Sequence, residues 1–234
     1  MRLRRWTGTR FVSRAPTRGG GYVPLRVANL TPEHVLWWQA EIQPVIDRDP
    51  TRADNGWNWL LVAPFTFLAG TAITHAPAGY CVGIVDEGSD DGFIPCALIT
   101  LVGRMRALDN PRKRSAFVWF LTTAPEAALR RLETPELGRD DVPKRLGQVA
   151  LDVAVTHSFN TGRRGLVALH ATPEGGPGLL AWYQKQGMAV LREGKRLPRG
   201  FRRLIAPNDG RYCYYTKRSA EQASRRLDDL RKEA

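Results

Sequence analysis

The sequence predicts a mixed α/β fold of the α+β type, and three observations carry that prediction. Runs with strand-like alternation and runs with three- and four-residue apolar spacing interleave along the chain rather than segregating into halves. Two apolar runs, "GYCVGIVDEG" and "FIPCALITLVGRMRAL", flank the turn-like "SDDG" and read as a β-hairpin. With 234 residues, 43% of them hydrophobic, and seven tryptophans, the chain can build one large core, and it shows neither an internal repeat nor a long linker.

Taken in order, the chain opens on a basic arm. Seven arginines and no acid fall in the first 26 residues, without a hydrophobic stretch, which excludes a secretory signal. An organellar transit peptide shares that composition; a basic arm over residues 1–22 is the simpler reading, with Gly19, Gly20 and Gly21 marking its end. "YVPLRVANL" is the first strand. "TPEHVLWWQAEIQPVI" follows as a helix with Thr31 as N-cap, Pro32 at the first helical position and Val35, Trp38, Ile42 and Val45 as its apolar stripe. "DNGWNWLLVAPFTFLAGTA" reads as helical with a kink or stop at Pro64. After the hairpin, "RSAFVWFLTTAP" is apolar on both faces and so a central strand.

Residues 125–143 carry mixed charges and read as a short helix plus a mobile loop. "KRLGQVALDVAVTHSF" is a helix with Val149, Val153 and Phe159 in the core. "RGLVALHA" is a strand, "GPGLLAWYQKQG" a helix, "MAVLREG" a strand and "GRYCYYTK" the last strand. The tail, residues 217–234, is a helix opened by a Ser219/Gln222 capping box, with Ala223, Leu227 and Leu230 as its stripe. The folded domain between arm and tail spans residues 23–216.

Charge and sparse chemistry narrow the function classes. The 35 Lys and Arg against 23 Asp and Glu give a formal charge of +12, which suits polyanions: nucleic acid, phosphate-bearing cofactors or acidic surfaces. Cys81, Cys96 and Cys213 are far apart and read as reduced, buried thiols of a cytoplasmic protein. His34, His75, His157 and His170 show no metal-ligand spacing. No apolar run approaches the ~20 residues of a membrane span.

Three stretches carry a resemblance to a known family. "LRVANLTPEHV", "FVWFLTTAP" followed by "KRLGQVALDVAVTHSF", and "GLVALHATPEGGPGLLAWYQKQGM" are similar to the first strand and helix, the central strand with its cofactor helix, and the closing strand, loop and helix of the GNAT superfamily of acetyl-CoA-dependent N-acetyltransferases. The resemblance covers roughly residues 23 to 216. It implies a mostly antiparallel central sheet flanked by helices, with acetyl-CoA as cofactor and an amine as acceptor. It also implies that backbone groups of Leu121, Thr122 and Thr123 hold the pantetheine arm. The pyrophosphate then falls to the helix start Lys144, Arg145, Leu146, Gly147, Gln148, Val149 and Ala150, where orphan N–H groups and the helix dipole favour anions. Two departures stand out. Val149 occupies a place where the family has a small residue, so the turn is either a modified phosphate site or one that has lost tight binding. Gly176 stands where many relatives have an asparagine.

Tyr183 takes two readings. Beside Leu179, Leu180 and Trp182, at helical spacing, it is an ordinary core aromatic. The resemblance instead makes it the general acid that protonates the departing CoA thiolate, a task suited to a phenol with a pKa near ~10. His170, ending the strand before the loop, is the candidate general base, or simply a satisfied strand-end histidine; Glu126 and Glu174 are weaker candidates. Aromatic residues Trp6, Phe11 and Phe201 interleave with the basic stretches, which keeps open an acceptor carried on nucleic acid, an aminoacyl-tRNA or an amine-modified DNA base. The competing readings are a silent GNAT-like module binding nucleic acid or a protein, and an unrelated basic binding domain.

Overall fold

A computed structural model describes residues 10–74, 76–85, 93–132, 142–198 and 208–231 of the chain. The elements follow the expected order, with an additional strand, Arg14–Pro16, inside the expected arm. They are β1 (Arg14–Pro16), β2 (Tyr22–Asn29), α1 (Pro32–Trp37), α2 (Gln43–Ile46), α3 (Trp59–Thr74), β3 (Pro77–Val85), β4 (Phe93–Arg106) and β5 (Arg114–Thr123). Then come α4 (Glu126–Leu129), α5 (Leu146–Asn160), β6 (Val167–His170), α6 (Gly176–Lys185), β7 (Ala189–Val190), β8 (Tyr212–Tyr214) and α7 (Lys217–Arg225).

The strands make one eight-stranded sheet in the order β1-β2-β3-β4-β5-β6-β8-β7. Every pairing is antiparallel except β5 with β6, which run parallel. The mixed, mostly antiparallel sheet flanked by helices is therefore as expected, and β5 is central, with Ala116, Phe117 and Val118 all under 5% exposed. Because successive strand side chains point to opposite faces, the two long helices cover opposite sides. His157 of α5 meets Tyr80 of β3, while Thr66 of α3 meets Thr100 of β4; Tyr80 pairs with Ile99, the neighbour of Thr100.

Local rules explain most boundaries. Thr31 caps α1 as expected, its hydroxyl accepting from the His34 N–H, with Pro32 in the first turn. The helix expected through residue 46 is interrupted by a π-helical turn at Trp38–Ile42. Pro44 offers no N–H for the next i→i−4 bond, and the ladder widens just before it. Pro64, in contrast, sits within a continuous α3 instead of stopping it.

Two boundary readings are corrected. Residues 1–22 are not a free arm throughout: Val12 and Ala15 are buried, β1 pairs with β2, and Thr17 bridges Pro143. Arg14 donates to the Asp229 carbonyl and covers the Tyr22 ring, and Arg18 pairs with Glu126, so these cations serve the fold. Residues 1–9 lie outside the described ones. The tail is not separate either. Ala220, Ser224, Leu227 and Leu230 are buried, and the Ser13 N–H donates to the Leu230 carbonyl. Its cap is Thr216 with Ser219, not Ser219 with Gln222, because the helix begins at Lys217. Residues 133–141 and 199–207, within the expected loop and the second basic stretch, lie outside the described residues. No helix among the described residues is long and apolar enough to cross a membrane.

Candidate active site

The cleft begins where β5 loses a neighbour. β6 pairs with β5 only from Ala116 to Val118, while β4 follows β5 as far as Thr123. Residues 119–123 therefore have one bonded edge and one open edge. The Ala124 N–H donates back to Cys96, on the β4 side, and by strand alternation the amide groups of Leu121 and Thr123 face the opening. The Thr123 carbonyl already accepts from Arg52 at 2.8 Å, and the Thr122 hydroxyl donates to Asp54. Of the three expected pantetheine contacts, Leu121 keeps both its N–H and its carbonyl on the open edge and Thr123 keeps its N–H, among the described residues.

The helix start of α5 forms the facing wall. Arg145 adopts a left-handed backbone, φ 65° and ψ 16°, uncommon for a residue with a Cβ. Its carbonyl accepts from the N–H groups of Gln148 and Val149, which leaves those of Leu146 and Gly147 without partners among the described residues. Arg145 folds back to Gln148 at 2.6 Å, and Gln148 reaches Gln186 at 2.9 Å, tying α5 to the end of α6. A Cβ on Gly147 would stand 3.2 Å from the Trp182 ring, so glycine permits that close approach. Arg145, Leu146, Gly147 and Gln148 line the cleft.

Of the expected cofactor residues, Lys144, Val149 and Ala150 do not line the cleft. Lys144 is exposed and lies outside the cleft, its N–H donating to the Pro16 carbonyl. Val149 and Ala150 are 0% exposed, in the core under the sheet. The valine in place of a small residue is thus a core side chain.

Tyr183 is a core side chain that also borders the cleft. It is the one fully buried side chain of α6, yet it lines the cleft, and its hydroxyl has no hydrogen-bond partner among the described residues. Burial, with Cys213 and the Asp54 carboxylate adding, pushes its phenol well above the ordinary value of 10.0. It stays protonated where free tyrosine would begin to ionise. Gly176, the departure from asparagine, has φ 62° and ψ −172°, a conformation that only glycine adopts freely, and its carbonyl accepts from Arg211.

His170 lines the same cleft, with Nε2 3.0 Å from Asp209 and its ring 4.6 Å from that of Tyr212. Glu174, also lining the cleft, is held below the usual carboxylate range by the Thr172 hydroxyl. Glu126 is absent from the lining and pairs with Arg18 and Arg130.

The third wall was missed in the sequence. The loop from α2 to α3 brings Arg52, Asp54 and Trp57 to the cleft. Asp54 is 5% exposed and bound by the Arg52 fork, Nε at 2.8 Å and Nη2 at 2.7 Å. Trp57 meets Phe120 edge-on at 5.0 Å, and Trp119 stacks beside Phe120. The Asn55-Gly56 turn signal was present, but it lay at the head of an apolar stretch read as helix. Together the walls enclose about 1130 Å³, at the large end for a small-molecule site. Among the described residues no group of His, Cys, Asp and Glu could hold a metal ion. All three cysteines are buried free thiols.

No family model matches the sequence, and no curated protein matches it. Solved structures of similar shape include an acetyltransferase of the GNAT family from Staphylococcus aureus Mu50, at 13% identity and a TM-score of 0.46, covering 81% of this chain and 97% of that one. Mutant forms of the spermidine/spermine N-acetyltransferase SpeG from Vibrio cholerae are 13% identical, with a TM-score of 0.47, over 86% of this chain and 98% of that one. A KacTA–DNA complex contains a chain 15% identical, with a TM-score of 0.41, over 85% and 96%. These are distant likenesses, and the chemistry of the cleft rests on this chain's own residues.

Proposed function

We propose that the chain is an acetyl-CoA-dependent N-acetyltransferase acting on a primary amine. One observation carries the reading. Leu121 with its free strand edge, Leu146 and Gly147 with their unpartnered helix N–H groups, and Tyr183 all line a single cleft. The set fits the cofactor's three chemically distinct parts. The Leu121 amide suits an extended amide arm, by the same bonds a neighbouring strand would make. Leu146 and Gly147, at the positive end of α5, suit a pyrophosphate, and Gly147 keeps backbone approach open. Acetyl-CoA, when bound, supplies an activated acyl group.

This chain's residues supply the proton transfers. Tyr183, held protonated by burial, retains a proton to give to a departing thiolate. His170, oriented through Asp209, is the group to take a proton from the acceptor ammonium. Glu174, with Trp57 and Phe120, gives the cleft a wall that tolerates a cation.

The test is binding followed by turnover. Calorimetry with CoA should give saturable one-site binding, and a panel of amines, from polyamines to aminoacyl-tRNA, should release thiol from acetyl-CoA. Absence of CoA binding at millimolar concentration rejects the proposal. Binding without thiol release on any amine favours the silent module instead.

A further inference from the structure

Helix α3 presents an apolar face to solvent. Its inward positions Trp59, Ala63, Thr66 and Gly70 are buried on the sheet. The outward ones are Leu60, Leu61, Pro64, Phe65, Leu68 and Ala72, with only Thr71 among them polar. Leu61 is 68% exposed, Phe65 51% and Leu68 74%. A helix that is apolar on both sides is ordinarily buried on both sides. With Leu36 of the adjoining α1, 57% exposed, the face leaves roughly 600 Å² of apolar side chain in water, at the upper limit of what one patch on a monomer exposes.

We propose that this face pairs with the same face of a second copy of the chain, forming a two-fold dimer through α3. Charge selects that occupant. The protein carries +12, yet residues 55–85 contain no Asp, Glu, Lys or Arg. A polyanion or an acidic protein finds no cation there, while two copies of a strongly basic chain can approach each other through their neutral surface. The area agrees as well, since a stable interface takes roughly 800 Å² from each partner and α3 with its rim supplies most of it. Leu61, Phe65 and Leu68, at i, i+4 and i+7, form one ridge of the kind that packs across an identical helix, and a two-fold axis makes the patch its own complement. The Phe65 ring lies 5.3 Å from Trp119, a wall of the cleft, so the interface borders the site.

The test is the solution mass of the full chain by sedimentation, for the wild type, Leu61→Glu/Leu68→Glu and the milder Leu68→Gln. The wild type should sediment at twice its 26.2 kDa chain mass. The double variant should sediment at the single mass with an unchanged near-ultraviolet circular dichroism spectrum, and Leu68→Gln should show a dimer dissociating at higher concentration than the wild type. A wild type that is monomeric up to its solubility limit overturns the proposal. So does a dimer that survives the substitutions. A monomeric wild type that cosediments with phosphatidylcholine–phosphatidylglycerol vesicles, and loses that binding in the double variant, also overturns it and makes the face a lipid-binding surface.

Discussion

Thr122 hydrogen-bonds to Asp54 across 68 positions of sequence, joining the open end of β5 to the loop before α3. The same carboxylate neutralises Arg52, and Arg52 in turn holds the Thr123 carbonyl. Removing the acid leaves a largely buried guanidinium without its counter-charge. Asp54→Ala should therefore lower stability by about 3 kcal/mol in urea unfolding. Asp54→Asn, which keeps the shape, should move the alkaline titration of Tyr183 to lower pH, since one cause of the upward shift is gone. An unmoved Tyr183 titration would show that the two groups do not interact.

Tyr183→Phe removes a proton donor while keeping the ring that fills the core. Turnover should fall about 100- to 1000-fold, with CoA affinity changed less than about threefold. In the wild type, no loss of rate attributable to this phenol should occur below about pH 10, because its proton is held more tightly than in free tyrosine. Equal losses in turnover and affinity would make Tyr183 a packing residue.

Gly147→Asp sets a carboxylate among the unpartnered N–H groups that begin α5. The new anion competes for the dipole and repels a phosphate, so CoA affinity should drop at least about tenfold. The added Cβ crowds the Trp182 ring, so the thermal midpoint should fall too, and Gly147→Ala, which crowds the ring without adding charge, separates the two effects. Calorimetry in low and high salt reads both the loss and its screening.

Arg231 is a different kind of charge. It lies 7% exposed, pairs with Asp152 of α5, and donates to Ser224 and to the Arg10 carbonyl, so it clasps the tail, α5 and the N-terminal segment. Arg231→Met should cost about 3–5 kcal/mol, because the buried Asp152 carboxyl loses its counter-charge and hydrogen-bond donor. Adding Asp152→Leu should recover most of the loss, and a double-mutant cycle by urea denaturation measures it.

His157 gives the fold an acid limb. It is 8% exposed, its Nδ1 lies 2.8 Å from the Tyr80 hydroxyl, and burial with nearby Arg163 lowers its pKa from 6.5 to about 4. The unfolded chain takes up this proton near pH 6.5 and the folded chain only near 4. Its contribution is full above pH 6.5 and is lost as pH falls through that window, by up to about 3 kcal/mol. His157→Gln should flatten the dependence of the unfolding free energy between these values.

The amino-acid sequence by itself determined which segments become strands and helices, because period-two and period-3.6 patterns, Thr31 as a cap and the apolar run of β5 act over a few residues. Tyr183, Gly147 and Leu121 were marked by the family resemblance alone, since local periodicity would have left Tyr183 an ordinary core aromatic. Tertiary structure alone decided the rest. Val149 reads locally like its neighbours in the turn, and only the direction α5 takes over the sheet turns it into the core. Asp54 reads as a loop acid until the chain folds it against Thr122. The N-terminal arginines read as a free arm until β1 finds an edge on β2 and the tail closes over it. Each of these depends on contacts between residues distant in sequence, where burial and charge pairing outweigh any local preference.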